Sequence, residues 1–317
     1  MDTDPINIFP PEILNIIFEY SENYNLLFTS KDYFCLLNLL SNNDNIIEQA
    51  IINGHLYIIF YINHLKRNDN DLIKKINFKS LGLQKYFYLA CKFGHLNIVK
   101  YFHSQGAKIL EDNNEALIEA CSYGHKDVVE YLISHGANIY ENDNCPIIMA
   151  SKNGHLDIVI LMISINNNSD ILSKIFIEAI DHNHLEIIKY LKSIEFDLHI
   201  HEDYGFRKSA ESNYLDMMKY LISEGANIRA CQNYAITKSF QNGHYETVKY
   251  LLSLGIDVVK ENVGININYA LMSAIIKCDV DLVKLLISMS VNIDTEHILT
   301  LAQKYNSQKI IDLVKNL

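Results

Sequence analysis

An all-α solenoid of about nine stacked helix pairs is predicted by three regularities that share one frame. The first is a turn motif, Asn53-Gly54-His55, Phe93-Gly94-His95, Tyr123-Gly124-His125, Asn153-Gly154-His155 and Asn242-Gly243-His244, each followed by an apolar run. Weaker copies stand at Asn183-His184, Asn213-Tyr214, Cys278-Asp279 and Asn306-Ser307. Counted on the glycine position, the copies fall at 54, 94, 124, 154, 183, 213, 243, 278 and 306. A period near thirty residues is the signature of a repeat architecture. The second regularity lies four residues before that position, at Ala50, Ala90, Ala120, Ala150, Ala179, Ser209, Ser239, Ala274 and Ala302. Only small side chains occur there, as close helix approach demands. The third lies five residues after it, where Ile59, Val99, Val129, Val159, Ile188, Met218, Val248, Val283 and Ile311 are all apolar.

Each element of a unit follows from local chemistry. Glu115 to Ser122 reads as a short first helix ending at Gly124. Val128, Val129, Tyr131, Leu132 and Ile133 then give a second helix with an apolar face too broad for a surface helix. Such a face suits a helix covered by neighbouring units. Gly136 stops the second helix, because glycine takes the left-handed conformation at low cost. Gly106, Gly225 and Gly255 hold the same place, Asn166 is expected to substitute for them, and Glu195 there predicts a locally strained or altered helix end. In Cys145-Pro146-Ile147-Ile148, proline is expected in the first helical turn, where its missing N–H costs nothing. The array runs over residues 42–317, with insertions near 64–83 and 256–268, and residues 1–41 do not repeat.

Composition bounds the function. The chain has 317 residues, 49% of them hydrophobic and 21% charged, as a folded soluble protein has. A formal charge of −11 and scattered Lys and Arg argue against nucleic acid as a partner. No apolar run is long enough for a membrane span. The acidic start, Met1-Asp2-Thr3-Asp4-Pro5, lacks the positive region of a signal peptide. A cytoplasmic or nuclear setting is therefore expected, with all six cysteines as free thiols.

No catalytic constellation stands out, and neither a cofactor nor a metal is expected. His95, His125, His155 and His244 occupy equivalent places in different units. Packed helices lie about 8–10 Å apart, whereas zinc–nitrogen bonds are about 2.0–2.1 Å, so a structural role at the inter-helix turn is favoured. His199-Ile200-His201-Glu202-Asp203 is the better metal-like cluster, but no distant ligand accompanies it. Cys91 and Cys121, also equivalent, read as small core residues. The glycines are helix punctuation rather than a phosphate loop. Tyr61, Tyr101, Tyr131, Tyr190, Tyr220 and Tyr250 recur seven residues after the glycine position and read as core tyrosines with the hydroxyl at the edge.

Gly124-His125-Lys126-Asp127-Val128-Val129-Glu130-Tyr131-Leu132-Ile133-Ser134-His135-Gly136-Ala137-Asn138-Ile139 resembles the second half of an ankyrin repeat. The degenerate pattern, with units three residues short of the family's usual length, looks like the ankyrin proteins of large DNA viruses. The resemblance implies paired antiparallel helices, trimmed loops or hairpins, and binding of a protein partner through loops and a concave surface. Recognition on rigid scaffolds sits in loops, which makes Glu111, Asp112, Tyr140, Glu141, Asp143, His199, His201 and Arg229 the candidate contacts. Phe9-Pro10-Pro11-Glu12-Ile13-Leu14-Asn15-Ile16-Ile17-Phe18, with Thr29-Ser30-Lys31-Asp32-Tyr33-Phe34, resembles an F-box. That resemblance implies docking of Pro10, Ile13, Leu14 and Ile17 onto a Skp1-like adaptor of a cullin ubiquitin ligase. A plainer alternative makes residues 1–41 a cap for the first repeat, since solenoid ends need a polar cover.

Overall fold

The computed structural model describes residues 46–56, 58–60, 82–256, 267–289 and 295–315. Residues 1–41, the insertion near 64–83 and most of the one near 256–268 lie outside the described residues. The chain forms two compact units, Met1–Asn166 and Asn167–Leu317.

Unit 1 contains α1 (Ile46–Ile52), α2 (Leu83–Phe93), α3 (Leu96–Ser104), α4 (Glu115–Ser122), α5 (Lys126–Ser134), α6 (Glu141–Lys152) and α7 (Leu156–Ile165), with a 3-10 turn at Asp112–Asn114 before α4. First helices lie side by side in the order α1, α2, α4, α6, and each of the last three packs on its own second helix, α3, α5 or α7. Unit 2 repeats the scheme with α8 (Ser169–Asp181), α9 (Leu185–Ser193), α10 (Ile200–Glu211), α11 (Leu215–Ser223), α12 (Ala230–Gln241), α13 (Tyr245–Ser253), α14 (Ile267–Ile276), α15 (Val280–Met289), α16 (Thr295–Lys304) and α17 (Gln308–Lys315). Here α8, α10 and α12 adjoin in sequence, as do α14 and α16, and every first helix packs on the second helix that follows it. There is no strand among the described residues, and no described helix is long and apolar enough to cross a membrane. The predicted all-α, ankyrin-type stacking is what each unit shows.

The repeat frame holds at every position that defined it. All nine small residues are fully buried, and so, to within a few per cent, are the nine apolar residues that open the second helices. The turn between helices explains the motif. The N–H of His125 bonds to the Ala120 carbonyl (3.0 Å), and that of His155 to the Ala150 carbonyl (2.9 Å). The same bond recurs from His184, Tyr214, His244, Asp279 and Ser307 to the small residue of each unit. This helix-ending arrangement requires a left-handed residue just before the donor, and Gly94, Gly124 and Gly154 supply it with φ of 74°, 81° and 80°.

Three expectations need correction or completion. Asn166 does not replace glycine in the left-handed region; it is extended, at φ −148° and ψ 117°. The next segment must reach the extended N-cap of α8, where Asn168 accepts the N–H of Ile171, and the chain straightens early to get there. Pro146 is not in a first turn, because α6 begins at Glu141 and encloses it. Glu195 keeps the helix end of the glycine-ended repeats, with the same closing hydrogen bonds, and takes the left-handed region itself at φ 63°, so the end is strained rather than altered.

Candidate interaction surface

The recurrent histidines stitch repeats together. Each ring reaches back to the last turn of the preceding first helix: His95 Nε2 to the Ile52 carbonyl (3.0 Å), His125 to Lys92 (2.8 Å), His155 to Ser122 (3.0 Å) and His244 to Glu211 (2.9 Å). A carbonyl only accepts, so Nε2 carries the proton in each ring. These bonds satisfy helix-end carbonyls that have no partner within their own helix. Where tyrosine replaces histidine, the Tyr214 hydroxyl donates to the Asp181 carbonyl at 3.2 Å.

A second tie joins the start of three first helices to the loop of the next repeat. Gln84 Oε1 accepts the Lys108 N–H (2.9 Å), and Asp203 Oδ2 accepts the Asn227 N–H (3.0 Å). Asn114, at the equivalent place, donates instead to the Asn138 carbonyl, and its Oδ1 has no hydrogen-bond partner. These three were missed in the sequence. The signal was there, a polar residue ten positions before each turn, but amide and carboxylate side chains alternate and hide it.

The recurring tyrosines among the described residues, Tyr101, Tyr131, Tyr190, Tyr220 and Tyr250, are half-buried. Tyr101 packs edge-on to Phe60 with ring centroids 4.7 Å apart, and the Tyr131 hydroxyl meets His103 Nδ1 at 2.8 Å. Lys100 lies over the Tyr131 ring and Lys219 over Tyr250, each lysine one repeat before its tyrosine. Cys91 and Cys121 are buried in the core, where burial raises both thiols well above their usual range. All five described cysteines are free. Among the described residues, no group of three His, Cys, Asp or Glu side chains could hold a metal ion.

The candidate contact residues divide. Leu110 and Tyr140 occupy equivalent loop tips in successive repeats and are 61% and 52% exposed, the most exposed large apolar side chains described. Leu110 was not among the sequence candidates. Beside it, Glu111 pairs with Lys108 (3.5 Å), and Asp112 accepts from the Tyr88 hydroxyl (3.1 Å). Burial and the Asp112 carboxylate push Tyr88 up to about 12. Glu141 and Asp143 lie within α6 rather than in a loop, which corrects their expected placement, and their side chains are outside the described residues.

In unit 2, His199 is tied down rather than free. Its Nδ1 lies 2.6 Å from Asp203 Oδ1 and its Nε2 3.3 Å from the Glu224 carbonyl. The bond to Asp203 raises the pKa of the ring. His201 is exposed within a run of three left-handed residues, His201, Glu202 and Asp203 (φ 53°, 55° and 56°). Arg207 braces this turn by donating to the His201 and Glu202 carbonyls, and its guanidinium lies 5.3 Å from the Tyr234 ring centre. Exposed Arg229 reaches the Gly255 carbonyl at 3.2 Å. Pro10, Ile13, Leu14 and Ile17 lie outside the described residues.

Paired helices, a left-handed turn and side-chain stitches from repeat to repeat within each unit define a repeat protein. The family model for Ankyrin repeats (3 copies) matches residues 42–143, 87–175 and 175–262, and the chain belongs to the ankyrin repeat family. It is 40% identical over 115 residues to the putative ankyrin repeat protein R844 of Acanthamoeba polyphaga mimivirus, a match covering 36% of this chain and 54% of the relative. It is 42% identical over 108 residues to the putative ankyrin repeat protein R840 of the same virus, covering 34% of this chain and 20% of that one. The chain thus matches about half or less of the length of these relatives. Among solved structures, the human ASB11 ankyrin repeat domain aligns with a TM-score of 0.48 at 19% identity, covering 65% of this chain and 96% of that domain.

Proposed function

We propose that this chain is a cytoplasmic protein-interaction scaffold that holds a protein partner through its loop tips and the adjoining edges of its first helices. The observation that carries the reading is the exposure of Leu110 and Tyr140 at successive tips. Other large apolar side chains are exposed as well, Tyr123 at 51% among them, but these two are the most exposed and stand at equivalent tips of successive repeats, and exposed apolar surface marks interaction sites. The test is affinity purification from the native cellular setting with mass spectrometry, repeated with Tyr140, Glu141 and Asp143 all replaced by alanine. The partner should be lost while the melting temperature stays nearly unchanged. A large fall in melting temperature, or undiminished capture, would overturn the reading.

A narrower version makes the chain a substrate receptor of a Skp1–cullin ubiquitin ligase. Its support is the Pro10-Pro11-Glu12-Ile13-Leu14 run, with Pro10, Ile13, Leu14 and Ile17 as the adaptor-facing residues. A pull-down against Skp1 should succeed with the wild type and fail with Leu14→Asp. Failure with the wild type removes the adaptor and favours the capping role. In that case deletion of residues 1–41 should uncover Ile46, Ile47 and Ile51 and cause aggregation.

A further inference from the structure

We propose that His103 and His135 form an acid-sensitive latch at the roots of the two loops that carry Leu110 and Tyr140, holding the loops together while neutral and pushing them apart when protonated. The latch is read from unit 1 alone. Only its consequence, weaker partner binding in acid, rests on the scaffold reading above.

His103 departs from the rule of its own repeat. Its place, nine residues after the turn position, is filled elsewhere by Ile133, Ile163, Ile222, Leu252 and Ile287, with Lys192 and Lys315 the other polar occupants among the described repeats. It is half-buried on α3, its ring centroid 6.4 Å from that of fully buried Phe87 on α2. Two rings of the next repeat meet it. The Tyr131 hydroxyl is 2.8 Å from its Nδ1, and the His135 ring stands edge-on to it with centroids 5.3 Å apart. His135 is itself oriented by Tyr131, whose ring centroid lies 4.1 Å away. Its Nδ1 is 2.8 Å from the Tyr131 carbonyl, which only accepts, so Nδ1 carries the proton and Nε2 takes the next one. Because α3 ends at Ser104 and α5 at Ser134, the pair sits where the chain leaves each helix for its tip.

The surroundings oppose a positive charge. Lys100, also on α3, lies over the Tyr131 ring. The neighbour from α2 is Phe87, and from α5 and its loop come Tyr131, Ser134 and His135. Among the described residues no carboxylate pairs with either ring, and α4 and α7, which flank α5, give neither an ionic partner. Burial, then His135, hold the His103 ring below its ordinary range. A lowered folded value means stability that is whole above the unfolded value of about 6.5 and is lost as pH falls through the folded one. Acid therefore loosens unit 1 here, the reverse of the trend that the Asp203 bond gives His199 in unit 2.

The test uses the full chain labelled at its histidine rings. NMR should show His103 titrating below about 6.5, and His135→Gln should move that midpoint upward by removing the second charge. Loop opening is read by amide exchange at Ala107 and Ala137, whose N–H groups bond to the Phe102 and Leu132 carbonyls at 3.0 Å. Both should exchange several-fold faster in the wild type than in His103→Ile at about pH 5.5, and alike in the two at about pH 7.5. The isoleucine is the residue that other repeats hold there, so this variant should fold. A His103 midpoint at the ordinary value, or one indifferent to His135→Gln, overturns the proposal. So does an exchange ratio that is the same at both pH values, which would mean that the pair titrates without holding the loops. Neither measurement needs a partner, so the latch can fail while the scaffold reading stands. Undiminished capture by the triple alanine variant removes that reading and leaves the latch in place.

Discussion

In unit 1 the left-handed seat after each described first helix is a glycine; in unit 2 it is Asn183, Asn213, Gly243, Cys278 and Asn306. The backbone is the same in both, with φ between 53° and 81°. What differs is the neighbour. A Cβ on Gly124 would lie 2.6 Å from the His155 ring, one on Gly54 2.8 Å from the His95 ring, and one on Gly94 would collide with His125. In these three repeats the glycine makes room for the histidine of the next, whereas at Asn213 a Cβ stands beside the His244 stitch to the Glu211 carbonyl. On Gly243 the nearest atom would be Lys277 Nζ at 3.6 Å, and at Asn213 the side chain is used instead, its Oδ1 accepting from Thr247 Oγ1 at 2.9 Å. Glycine-histidine is thus a contact between repeats written as if it were a local motif.

The largest expected effect breaks that contact. Gly124→Ala meets both the left-handed penalty of about 1–2 kcal/mol and an overpacking cost of about 1–3 kcal/mol, so thermal or urea unfolding should show a loss near 3 kcal/mol. Gly243→Ala pays only the first and should lose about 1 kcal/mol. Equal losses would mean that the histidine ring yields freely and that the contact is not what selects glycine.

A smaller effect is expected at Gly205, whose φ is not in the left-handed region. A Cβ there would lie 2.8 Å from Phe176 Cζ and 3.1 Å from Ile180 Cδ1. Overpacking of about 1–3 kcal/mol is partly offset by the better helix propensity of alanine, about 1 kcal/mol. Gly205→Ala should therefore destabilise unit 2 by about 1 kcal/mol. A more stable variant would show that both side chains move aside.

No larger is the effect at a pair of opposite sign at one repeat position. Gly136 and Glu195 both end second helices in the left-handed region, at φ 95° and 63°. Nothing crowds Gly136, so Gly136→Ala should cost about 1 kcal/mol from backbone alone, whereas Glu195→Gly should gain up to about 1 kcal/mol by relieving the same penalty. Urea midpoints moving in the same direction would show that side-chain contacts outweigh backbone conformation here.

The fold is legible in the sequence because helix stacking writes itself locally. Ala120 and Val129 lie in adjacent helices and recur on a fixed period, so the repeat frame needs no long-range information. The surface is less legible. His125 could be assigned to a turn, yet its partner, Lys92, lies 33 residues back, and nothing local names it. Gln84, Asn114 and Asp203 play related parts with different functional groups, which conceals the pattern. Asn166 misled because residue type alone favours the left-handed region, while its actual conformation answers to the cap at Asn168. Leu110 went unnoticed because one apolar residue among polar ones carries no period. His199 was taken for a free loop residue because Asp203 reaches it through a left-handed run that the sequence does not announce, and the Glu224 carbonyl lies 25 residues on.

That histidine yields the smallest prediction, on unit 2. A neutral imidazole has one N–H and can donate to either Asp203 or the Glu224 carbonyl, whereas the protonated ring donates to both. The folded state thus favours the charged ring, and the pKa of His199 is raised, first by the Asp203 hydrogen bond. The stabilisation is fully present below the unfolded value of about 6.5 and fades as pH rises through the higher folded value. Because the side chain is more than a third exposed, solvent screening keeps the contribution small. Urea midpoints at about pH 5.5 and about pH 8.5, spanning that range, should fall more for the wild type than for His199→Gln. The variant matters because it keeps a hydrogen-bonding side chain but cannot titrate. Parallel shifts in both proteins would mean that the pair fixes the loop geometry without linking it to protons.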